Sequence, residues 1–266
     1  MSVDEGSRIP FPDLFSLRGK TAIVMGATTG LGPEMTLAIA EAGADVVAIL
    51  SSWDPSPGQL EESIQKSGRE FSVFHSEVSD SADLRRCFHD IWGAGVEPDI
   101  LLNCSILNRR GPIENMKDED IDLVLLVNLK AAYVAAQEVG SRMIQRLRKG
   151  KIINFGSAAA HLAMTDVSVY AAAKAGVLQM TKAFSNEWAA KGIQVNNISP
   201  GYSTAASAIS LSSQYPEMAS YITNRTPAGR LGTPADFRGV VVFLCSAASD
   251  FVTGSSIFVD GGLMAR

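Results

Sequence analysis

The chain has 266 residues, of which 46% are hydrophobic and 19% charged, with a formal net charge of -5 at pH 7. This length supports one domain with a sizeable core, and the acidic balance argues against a nucleic-acid-binding surface. No uninterrupted apolar run reaches the ~18 residues of a membrane span, and the acidic N-terminus is unlike a signal peptide. Three cysteines without metal-type spacing favour a reducing compartment. We therefore expect a cytoplasmic protein with no nucleic-acid, membrane or metal partner.

Strand-like and helical patterns alternate along the chain after a polar N-terminal arm, residues 1–17, which we expect to be mostly irregular. Short apolar runs predict strands at 21–25, 45–50, 71–75, 100–103, 151–156, 193–198 and 256–259. Apolar residues at helical spacing predict helices at 33–42, 59–67, 81–93, 118–148, 168–190 and 234–246. This alternation predicts a doubly wound parallel β-sheet flanked by helices, a single Rossmann-like α/β domain over residues 18–266.

The Ser-rich stretch 202–232 has no strong period. Long irregular segments that follow a strand often cover a substrate, so we predict that this stretch is a lid.

A glycine-rich turn separates the first predicted strand from the first helix. Its glycines let the backbone approach a pyrophosphate, and the N-terminus of the following helix stabilises the negative charge. The spacing is Gly-x-x-x-Gly-x-Gly rather than the commoner dinucleotide fingerprint, so a tight turn without a ligand is the alternative. The predicted coenzyme contacts in this turn are Gly26, Thr28, Thr29, Gly30, Leu31 and Gly32.

The end of the second strand decides which coenzyme such a fold accepts. An acid there favours NAD, and a nearby arginine favours NADP. Here the strand ends at Ser51 and Ser52, and Asp54 comes a few residues late. With no carboxylate at the strand end to repel a 2′-phosphate, we expect NADP(H) to be accepted at least as well as NAD(H). The alternative is that the serines only begin a loop.

Tyr170 and Lys174 are four residues apart, so a helix places both on one face, one turn from each other. A phenol titrates near pH ~10, and a nearby ammonium lowers that pKa by favouring the phenolate. The hydroxyl of Ser157 could hold a substrate oxygen while the tyrosine gives or takes a proton. These residue types suit carbonyl–alcohol interconversion, although Tyr-x-x-x-Lys also occurs by chance on amphipathic helices.

Two asparagines and a Pro-Gly pair complete the pattern. Asn103 ends the fourth predicted strand, and Asn128 lies in an otherwise apolar stretch, where it is either a satisfied core residue or part of a site. Pro200 and Gly201 follow the sixth strand. Ligands of doubly wound sheets bind at the carboxyl ends of strands, where these residues and Ser157 all fall.

Taken together, the motifs resemble the short-chain dehydrogenase/reductase family over residues 16–266. The resemblance implies a catalytic tetrad of Asn128, Ser157, Tyr170 and Lys174. It also implies that the tyrosine is the general acid/base, that the lysine lowers its pKa and holds the nicotinamide ribose, and that Asn128 supports a proton-relay water. Further coenzyme contacts are implied for Ser51, Ser52, Glu77, Val78, Asn103, Tyr170, Lys174, Pro200, Gly201, Ser203 and Thr204. The family is commonly tetrameric, so a homotetramer is expected.

Within the family the resemblance is greatest to enzymes that oxidise a hydroxyl group of a sugar acid to a ketone. It rests on segments such as Pro227-Ala-Gly-Arg230 and the C-terminal Val259 to Arg266. One departure lies beside the coenzyme, where Cys104-Ser105-Ile106 replaces Asn-Ala-Gly. The implied substrate contacts are Ser157, Leu162, Met164, Asp166, Tyr170 and Tyr202.

The function predicted is an NAD(P)(H)-dependent oxidoreductase that interconverts a ketone and a secondary alcohol by hydride transfer, on a sugar acid. The first alternative is a reductase of a bulky specialised metabolite, a ketone or an iminium compound, because Leu162 and Met164 are apolar and Asp166 is anionic. Asp166 is otherwise an N-terminal helix cap. Arg109 and Arg110 either meet a substrate carboxylate or form solvated surface. The second alternative is a coenzyme-sensing binding protein without turnover.

Overall fold

The structure, a computed structural model, describes residues 9–205 and 216–265. In this part of the chain a single seven-stranded parallel sheet has the order β3-β2-β1-β4-β5-β6-β7. The strands are β1 Thr21–Met25, β2 Asp45–Leu50, β3 Phe71–His75, β4 Ile100–Asn103, β5 Gly150–Phe155, β6 Ile193–Pro200 and β7 Ser256–Val259. The strand order reverses between β1 and β4, which creates a crevice at the carboxyl edge of the sheet. The predicted fold class is therefore confirmed.

Helices cover both faces of this sheet, as right-handed crossovers between parallel strands require. They are α1 Gly32–Glu41, α2 Gly58–Lys66, α3 Ser81–Gly93, α4 Asp118–Leu125, α5 Ala131–Gln145, α6 Ser168–Trp188, α7 Pro216–Arg225 and α8 Arg238–Cys245. The helices predicted from periodicity match to within a few residues, except that the predicted 234–246 helix begins as a 3-10 turn, Pro234–Phe237.

Alternate residues of each strand pack on opposite faces of the sheet and divide the core in two. Ile23, Leu101 and Ile152 belong to one hydrophobic cluster, with side chains of α3, α5 and α6. Val24 and Leu102 belong to the other, with side chains of α1 and α8. Both faces are therefore buried, which is why the central strands are almost continuously apolar in sequence.

The longest helical stretch, Asp118–Gln145, is built from α4, a π-helical segment Leu126–Lys130, and α5. By length and composition alone it could cross a membrane, with a mean hydropathy of 1.3 over its most apolar part, but 56% of that part is buried. Ala135, Val139 and Met143 pack in the core cluster on one face of the sheet. The stretch is thus a core helix of this fold.

The two segments predicted to be irregular contain short regular structure. In the N-terminal arm, Phe11–Phe15 forms a 3-10 helix and Leu17 is buried. In the predicted lid, Pro216–Arg225 is a helix, which its weak periodicity did not reveal, and residues 206–215 lie outside the described part of the chain. A parallel bridge between Ser203 and Gly232 joins the two ends of this stretch.

Candidate active site

The turn between β1 and α1 has the close approaches and open space of a pyrophosphate cradle. A Cβ atom at Gly32 would lie 1.9 Å from the carbonyl oxygen of Gly26, and a Cβ at Gly26 would lie 2.7 Å from Ser105 N. Gly26 and Gly30 have positive φ values of 76° and 56°. Around Gly30 the space is open, with the nearest atom 4.0 Å away on Ile106. The glycine spacing is therefore required by the turn itself, and one face is left free for a ligand.

Two buried polar atoms near this turn have no hydrogen-bond partner among the described residues: Thr28 Oγ1 and Asn103 Oδ1. Buried polar atoms are rarely left unpaired, since each costs about 1–3 kcal/mol. A dinucleotide with its many hydroxyl and phosphate oxygens would supply partners. The residues present therefore fit an NAD(P) coenzyme, which would lie along the turn with its pyrophosphate at the N-terminus of α1.

Asn103 joins three elements at the crevice. Its Nδ2 donates to Asn154 Oδ1 over 2.8 Å and to the carbonyl oxygen of Ala132 over 3.3 Å. Asn154 Nδ2 in turn donates to Thr181 Oγ1 on α6 over 2.9 Å. The side-chain nitrogen Nδ2 of Asn103 therefore has a structural role. Its side-chain oxygen Oδ1 is the atom left for a ligand.

At the end of β2 the structure corrects one premise of the sequence analysis. Although Asp54 comes three residues after Ser51, its carboxylate reaches the strand end: Asp54 Oδ2 accepts the backbone N–H of Ser51 over 2.8 Å. Glu77 Oε1 accepts the backbone N–H of Ser52 over 3.0 Å. Two carboxylates therefore reach the strand end, because the loop folds back and because the β2–β3 pairing brings the β3–α3 loop alongside. Val78, next to Glu77, is buried.

Tyr170, Lys174 and Ser157 meet at the carboxyl end of β5. α6 carries the first two on one face, with Lys174 Nζ 5.7 Å from the centroid of the Tyr170 ring. Lys174 Nζ donates to the carbonyl oxygen of Phe155 over 2.9 Å. Ser157 begins a 3-10 turn, and its Oγ accepts the N–H of Ala159 over 3.1 Å. The prediction that these three side chains share one site agrees with this geometry.

Burial dominates the ionisation of this pair. It raises the pKa of Tyr170 to about 12, while a hydrogen bond with Ser157 acts in the opposite direction. It lowers the pKa of Lys174 to about 8. The predicted lowering of the tyrosine pKa by the lysine is therefore not observed: loss of hydration is the largest influence on this pKa, and the opposing one is the hydrogen bond with Ser157. At neutral pH the phenol carries its proton.

Asn128 holds a loop in place. Its Nδ2 donates to the carbonyl oxygens of Leu107, over 2.6 Å, and Val124, over 2.9 Å, and its Oδ1 accepts the N–H of Leu107 over 3.3 Å. The residue lies in the π-helical segment, a deviation that often marks functional positions. Its side chain is thus fully satisfied, and of the two readings left open by the sequence the contacts favour a structural use of the amide.

The segment after β6 closes the far side of the crevice. Gly201 N–H donates to the carbonyl oxygen of Val259 over 3.0 Å, and Thr204 N–H donates to that of Gly232 over 2.7 Å. A Cβ at Gly201 would lie 2.8 Å from the Cα of Asp260. Pro200 is half-buried and Ser203 is buried. These contacts place the predicted coenzyme segment at the same edge as the glycine turn.

Apolar side chains surround the tyrosine on the predicted substrate side. Tyr170 packs in a small cluster with Val124 and Val167, against which Leu107 and Met164 also pack. The hydroxyl of Tyr202 donates to Met164 Sδ over 3.4 Å. Leu162 is half-buried nearby in the same loop. The contact between Tyr202 and Met164 therefore joins the segment after β6 to the loop that precedes α6.

Asp166 does not cap α6. The N-cap residue is Val167, without a side-chain cap hydrogen bond. Asp166 is exposed and left-handed, with φ 62°, a conformation that Asp tolerates better than most residues. Its carbonyl oxygen accepts the N–H of Gly111 over 3.1 Å. The helix-cap interpretation is therefore wrong, because the chain turns at Asp166, one residue before the N-cap position.

Arg109 pairs with Asp120, Nε to Oδ1 over 3.2 Å, and Arg110 is exposed. The surface interpretation of these arginines therefore agrees with the contacts. Two features escaped the sequence analysis. One is the backbone of Leu107, whose N–H and carbonyl oxygen both bond to the Asn128 side chain, a contact that no sequence pattern reveals. The other is a polar network at β6 and β7 in which His161 Nε2 lies 3.2 Å from Ser199 Oγ; its serines looked like ordinary strand residues.

A parallel sheet that ends in a pyrophosphate turn beside a protonated phenol can support hydride exchange between a nicotinamide and a carbonyl carbon. The fold and site thus define a class, the nicotinamide-dependent oxidoreductases of the doubly wound α/β type.

Known proteins narrow this class. The family model described as enoyl-(acyl carrier protein) reductase matches residues 26–264. A 2-dehydro-3-deoxy-D-gluconate 5-dehydrogenase of Pseudoalteromonas atlantica is 36% identical over 252 residues, 95% of this chain and 98% of the relative. A solved Agrobacterium tumefaciens structure, provisionally assigned as a 2-deoxy-D-gluconate 3-dehydrogenase with bound NADP, has a TM-score of 0.89 and 37% identity, covering 96% and 100%.

A Burkholderia cenocepacia gluconate 5-dehydrogenase in complex with NADP and tartrate has a TM-score of 0.89 and 33% identity, covering 96% of this chain and 99% of that one. The chain belongs to the short-chain dehydrogenase/reductase family and is an NAD(P)(H)-dependent oxidoreductase that interconverts a ketone and a secondary alcohol. The predicted family and activity are confirmed, and a binding protein without turnover is set aside.

Proposed function

We propose that the enzyme interconverts a hydroxyl and a keto group of a sugar acid of the gluconate type. The observation that carries this proposal is the buried, protonated Tyr170 one helical turn from Lys174 at the crevice. The substrate class is supported by relatives named for sugar acids, which match this chain over nearly its whole length.

Each of the three polar groups has a distinct role in this proposal. Tyr170 donates its proton to the developing alkoxide in reduction and recovers it in oxidation. The Ser157 hydroxyl holds the same substrate oxygen as a hydrogen-bond donor, since its oxygen already accepts the N–H of Ala159. Lys174 is anchored by Phe155, which aims its ammonium toward the crevice, where it would hold the nicotinamide ribose.

Asn128 has a positioning role rather than a proton-relay role in its side chain. Its amide fixes Leu107, and Leu107 packs against the Tyr170 cluster. The π-helical segment around it disturbs the regular backbone hydrogen-bond ladder, so any contact to a relay water would come from the backbone.

NADP(H) or NAD(H) supplies the hydride. The turn glycines with Thr28, Thr29 and Leu31 would hold the pyrophosphate. The remaining parts of the coenzyme would be held by residues at the ends of the strands: Ser51, Ser52, Glu77, Val78, Asn103, Pro200, Gly201, Ser203 and Thr204. Acceptance of NADP(H) is supported by the bound NADP of two solved relatives.

Turnover of defined substrates tests the proposal. We expect oxidation of D-gluconate or 2-deoxy-D-gluconate, or reduction of 5-keto-D-gluconate, followed at the nicotinamide absorbance with each coenzyme. D-Glucose is the matched neutral control, and kcat/KM for a sugar acid should exceed that for glucose. Turnover of glucose but of no acid would contradict the substrate class.

The alternative substrate, a bulky ketone or iminium compound, is favoured by one observation: apolar side chains, Leu107 and Met164 among them, pack beside Tyr170. Asp166 separates the two candidates, because its exposed carboxylate would attract a cation and repel an anion. If the substrate is cationic, Asp166→Asn should weaken its binding by about 1–3 kcal/mol. If it is a sugar acid, the same change should leave KM unchanged or lower it.

We also propose that the enzyme is a cytoplasmic homotetramer, with residues 1–17 as an arm and 202–232 as a substrate lid. The lid is supported by its position, since Tyr202 contacts Met164 beside the tyrosine cluster. The tetramer is supported by family membership and by an exposed aromatic, Tyr133, on α5. The cytoplasmic location is supported by three free, buried cysteines.

A further inference from the structure

A cluster of polar side chains packs against the turn that presents Ser157. Its strand members are Asn197 and Ser199 of β6 and Ser256 of β7. Asn197 Nδ2 donates to Ser199 Oγ over 2.9 Å and to Ser256 Oγ over 2.8 Å. The two serine oxygens lie 2.9 Å apart and share a further hydrogen bond. Because Asn197 and Ser199 are fully buried, this cluster is part of the protein core.

The cluster contacts the backbone directly before Ser157. Gly156 N–H donates to the carbonyl oxygen of Ile198 over 2.9 Å. A Cβ atom at Gly156 would lie 2.7 Å from Asn197 Nδ2 and 2.8 Å from Ser199 Oγ. The glycine is therefore required by this close approach, and the buried amide and hydroxyl set the position at which the chain enters the turn.

His161 holds the other end of the turn. Its backbone N–H donates to the carbonyl oxygen of Ala158 over 3.0 Å, within the 3-10 turn that begins at Ser157. Its Nε2 lies 3.2 Å from Ser199 Oγ, and its ring packs edge-on against Phe258 at a centroid distance of 4.6 Å. The buried hydroxyl of Ser199 therefore contacts both the residue before Ser157 and the residue that ends the turn.

The charge state of His161 suits a hydrogen bond between neutral groups. Burial, and then the charge of Lys182 on α6, lower the pKa of His161. Its neighbours from β6 and β7, Ser199 and Phe258, carry no charge. The ring is therefore mainly neutral at neutral pH, with one donor and one acceptor nitrogen. Either nitrogen can complete the chain of serine hydroxyls, since each hydroxyl both donates and accepts.

We propose that His161, through its bond with Ser199, is a positioning residue for Ser157 in the oxidoreductase reaction. This inference rests on the proposed role of the Ser157 hydroxyl. Ser157 Oγ accepts the N–H of Ala159, so the direction of its remaining O–H donor follows the geometry of the turn. The bond between His161 and Ser199 holds this geometry and so directs the hydroxyl toward the substrate oxygen, where negative charge develops in reduction.

Reduction of 5-keto-D-gluconate tests this role, with kcat as the readout. His161→Leu keeps an apolar contact with Phe258 but loses the hydrogen bond, so kcat should fall about tenfold while the coenzyme Kd changes less than about twofold. His161→Gln supplies a neutral polar group in place of Nε2 and should restore kcat to within about threefold of the wild type. In a Ser157→Ala background, His161→Leu should have no further effect, because the group through which it acts is gone.

The serine partner supplies a matched pair of variants. Ser199→Ala should lower kcat as much as His161→Leu does, and the double variant should be no slower, since both changes break the same bond. Ser185→Ala is the control for lost stability. Ser185 is a buried serine of α6 whose Oγ lies 2.8 Å from Thr253 Oγ1. This change should lower Tm as Ser199→Ala does and leave kcat unchanged.

Hydrogen–deuterium exchange tests the turn without a substrate. The N–H groups of Ala160 and His161 donate to the carbonyl oxygens of Ser157 and Ala158. They should exchange about tenfold faster in His161→Leu than in the wild type, and at the wild-type rate in Ser185→Ala.

Three results would overturn the proposal: wild-type kcat in folded His161→Leu, an equal loss of kcat in the Ser157→Ala background, or unchanged exchange of these two N–H groups. Absence of 5-keto-D-gluconate turnover by the wild type would contradict only the substrate assignment, because the exchange rates do not depend on a substrate.

Discussion

Burial shifts the pKa values of the two ionisable side chains of the site in opposite directions, upward for Tyr170 and downward for Lys174. Tyr170 keeps its proton at neutral pH, since burial raises its pKa to about 12. A phenol in this state suits proton donation to an alkoxide in carbonyl reduction. Lys174 has its pKa lowered to about 8, so its ammonium is retained at neutral pH at a cost in folding free energy.

The first prediction concerns the phenolic proton of Tyr170. Tyr170→Phe should keep the fold and the coenzyme Kd but lose about 10²–10⁴ in kcat for carbonyl reduction, since a positioned proton donor is lost. Steady-state kinetics and coenzyme titration measure the two quantities. Tyr133→Phe, which removes a hydroxyl from the exposed face of α5, is the control. Wild-type turnover in Tyr170→Phe would show that the proton comes from another group.

The second prediction concerns the buried lysine. Because the folded pKa of Lys174 is about 8, below its ordinary 10.5, the unfolded chain binds more protons than the folded one between these values. Its contribution to the free energy of unfolding therefore rises with pH across that window, by at most about 3 kcal/mol. Below pH 8 the buried charge is a constant cost.

Chemical denaturation from pH 7 to 10.5 measures this effect as a difference between two proteins. Lys174→Met lacks the buried charge, so wild type should gain stability relative to this variant as pH rises through 8. Lys182→Met, which changes an exposed lysine of the same helix, should show no such trend. A flat difference for Lys174→Met would mean that the ammonium is solvated in the folded protein.

At the scale of elements, the glycine turn combines tight packing of α1 against β1 with an open surface for a ligand. Gly32 has no room for a Cβ because α1 must start against the Gly26 carbonyl. Gly30 has room and a positive φ, so its lack of a side chain keeps the turn surface open. Gly32 is therefore required for packing of α1, and Gly30 is required for close approach of a ligand.

The third prediction separates backbone strain from ligand exclusion. Gly30→Ala and Gly68→Ala both place a Cβ at positive φ, 56° and 74°, in open space. Each should lower the free energy of unfolding by about 1–2 kcal/mol. Only Gly30→Ala should weaken coenzyme binding, by tenfold or more, because its methyl group occupies the pyrophosphate approach. Equal coenzyme affinity in the two variants would place the pyrophosphate elsewhere.

At the scale of the whole molecule, three apolar residues of α5 and α6 lie in the core of the single chain and not on its surface. Ala132, Phe184 and Trp188 are each at most 8% exposed in the single chain. The side chain of Trp188 packs where Gly140 leaves no room for a Cβ, which would lie 2.5 Å from the ring. The exposed aromatic on this face is Tyr133, whose ring stacks edge-on to Phe184 at 4.8 Å.

The fourth prediction is the assembly. Light scattering at micromolar concentration should give a mass four times that of the 28.3 kDa chain, in an assembly with two-fold axes. Tyr133→Glu should lower this mass, since a carboxylate would be buried at the interface, whereas Lys66→Glu on the exposed face of α2 should not. A monomeric mass for the wild type would contradict the tetramer.

The sequence by itself determined the fold and the order of the site's parts. Apolar runs set the seven strands, because strands buried on both faces must be apolar. The glycine spacing and the four-residue separation of Tyr170 and Lys174 are local, so helix and turn geometry fix them without knowledge of the rest of the chain.

The tertiary structure decided what depends on contacts between distant segments. The pKa of Tyr170 follows from burial by several elements, so local spacing gave the wrong direction. Asp54 and Glu77 are 23 residues apart in the sequence numbering, and only the pairing of β2 with β3 brings both to the same strand end. Asn128 likewise reaches Leu107 only because the helical stretch 118–145 packs against the loop that follows β4. Periodicity describes one element at a time, whereas electrostatics and hydrogen bonding depend on which elements become neighbours.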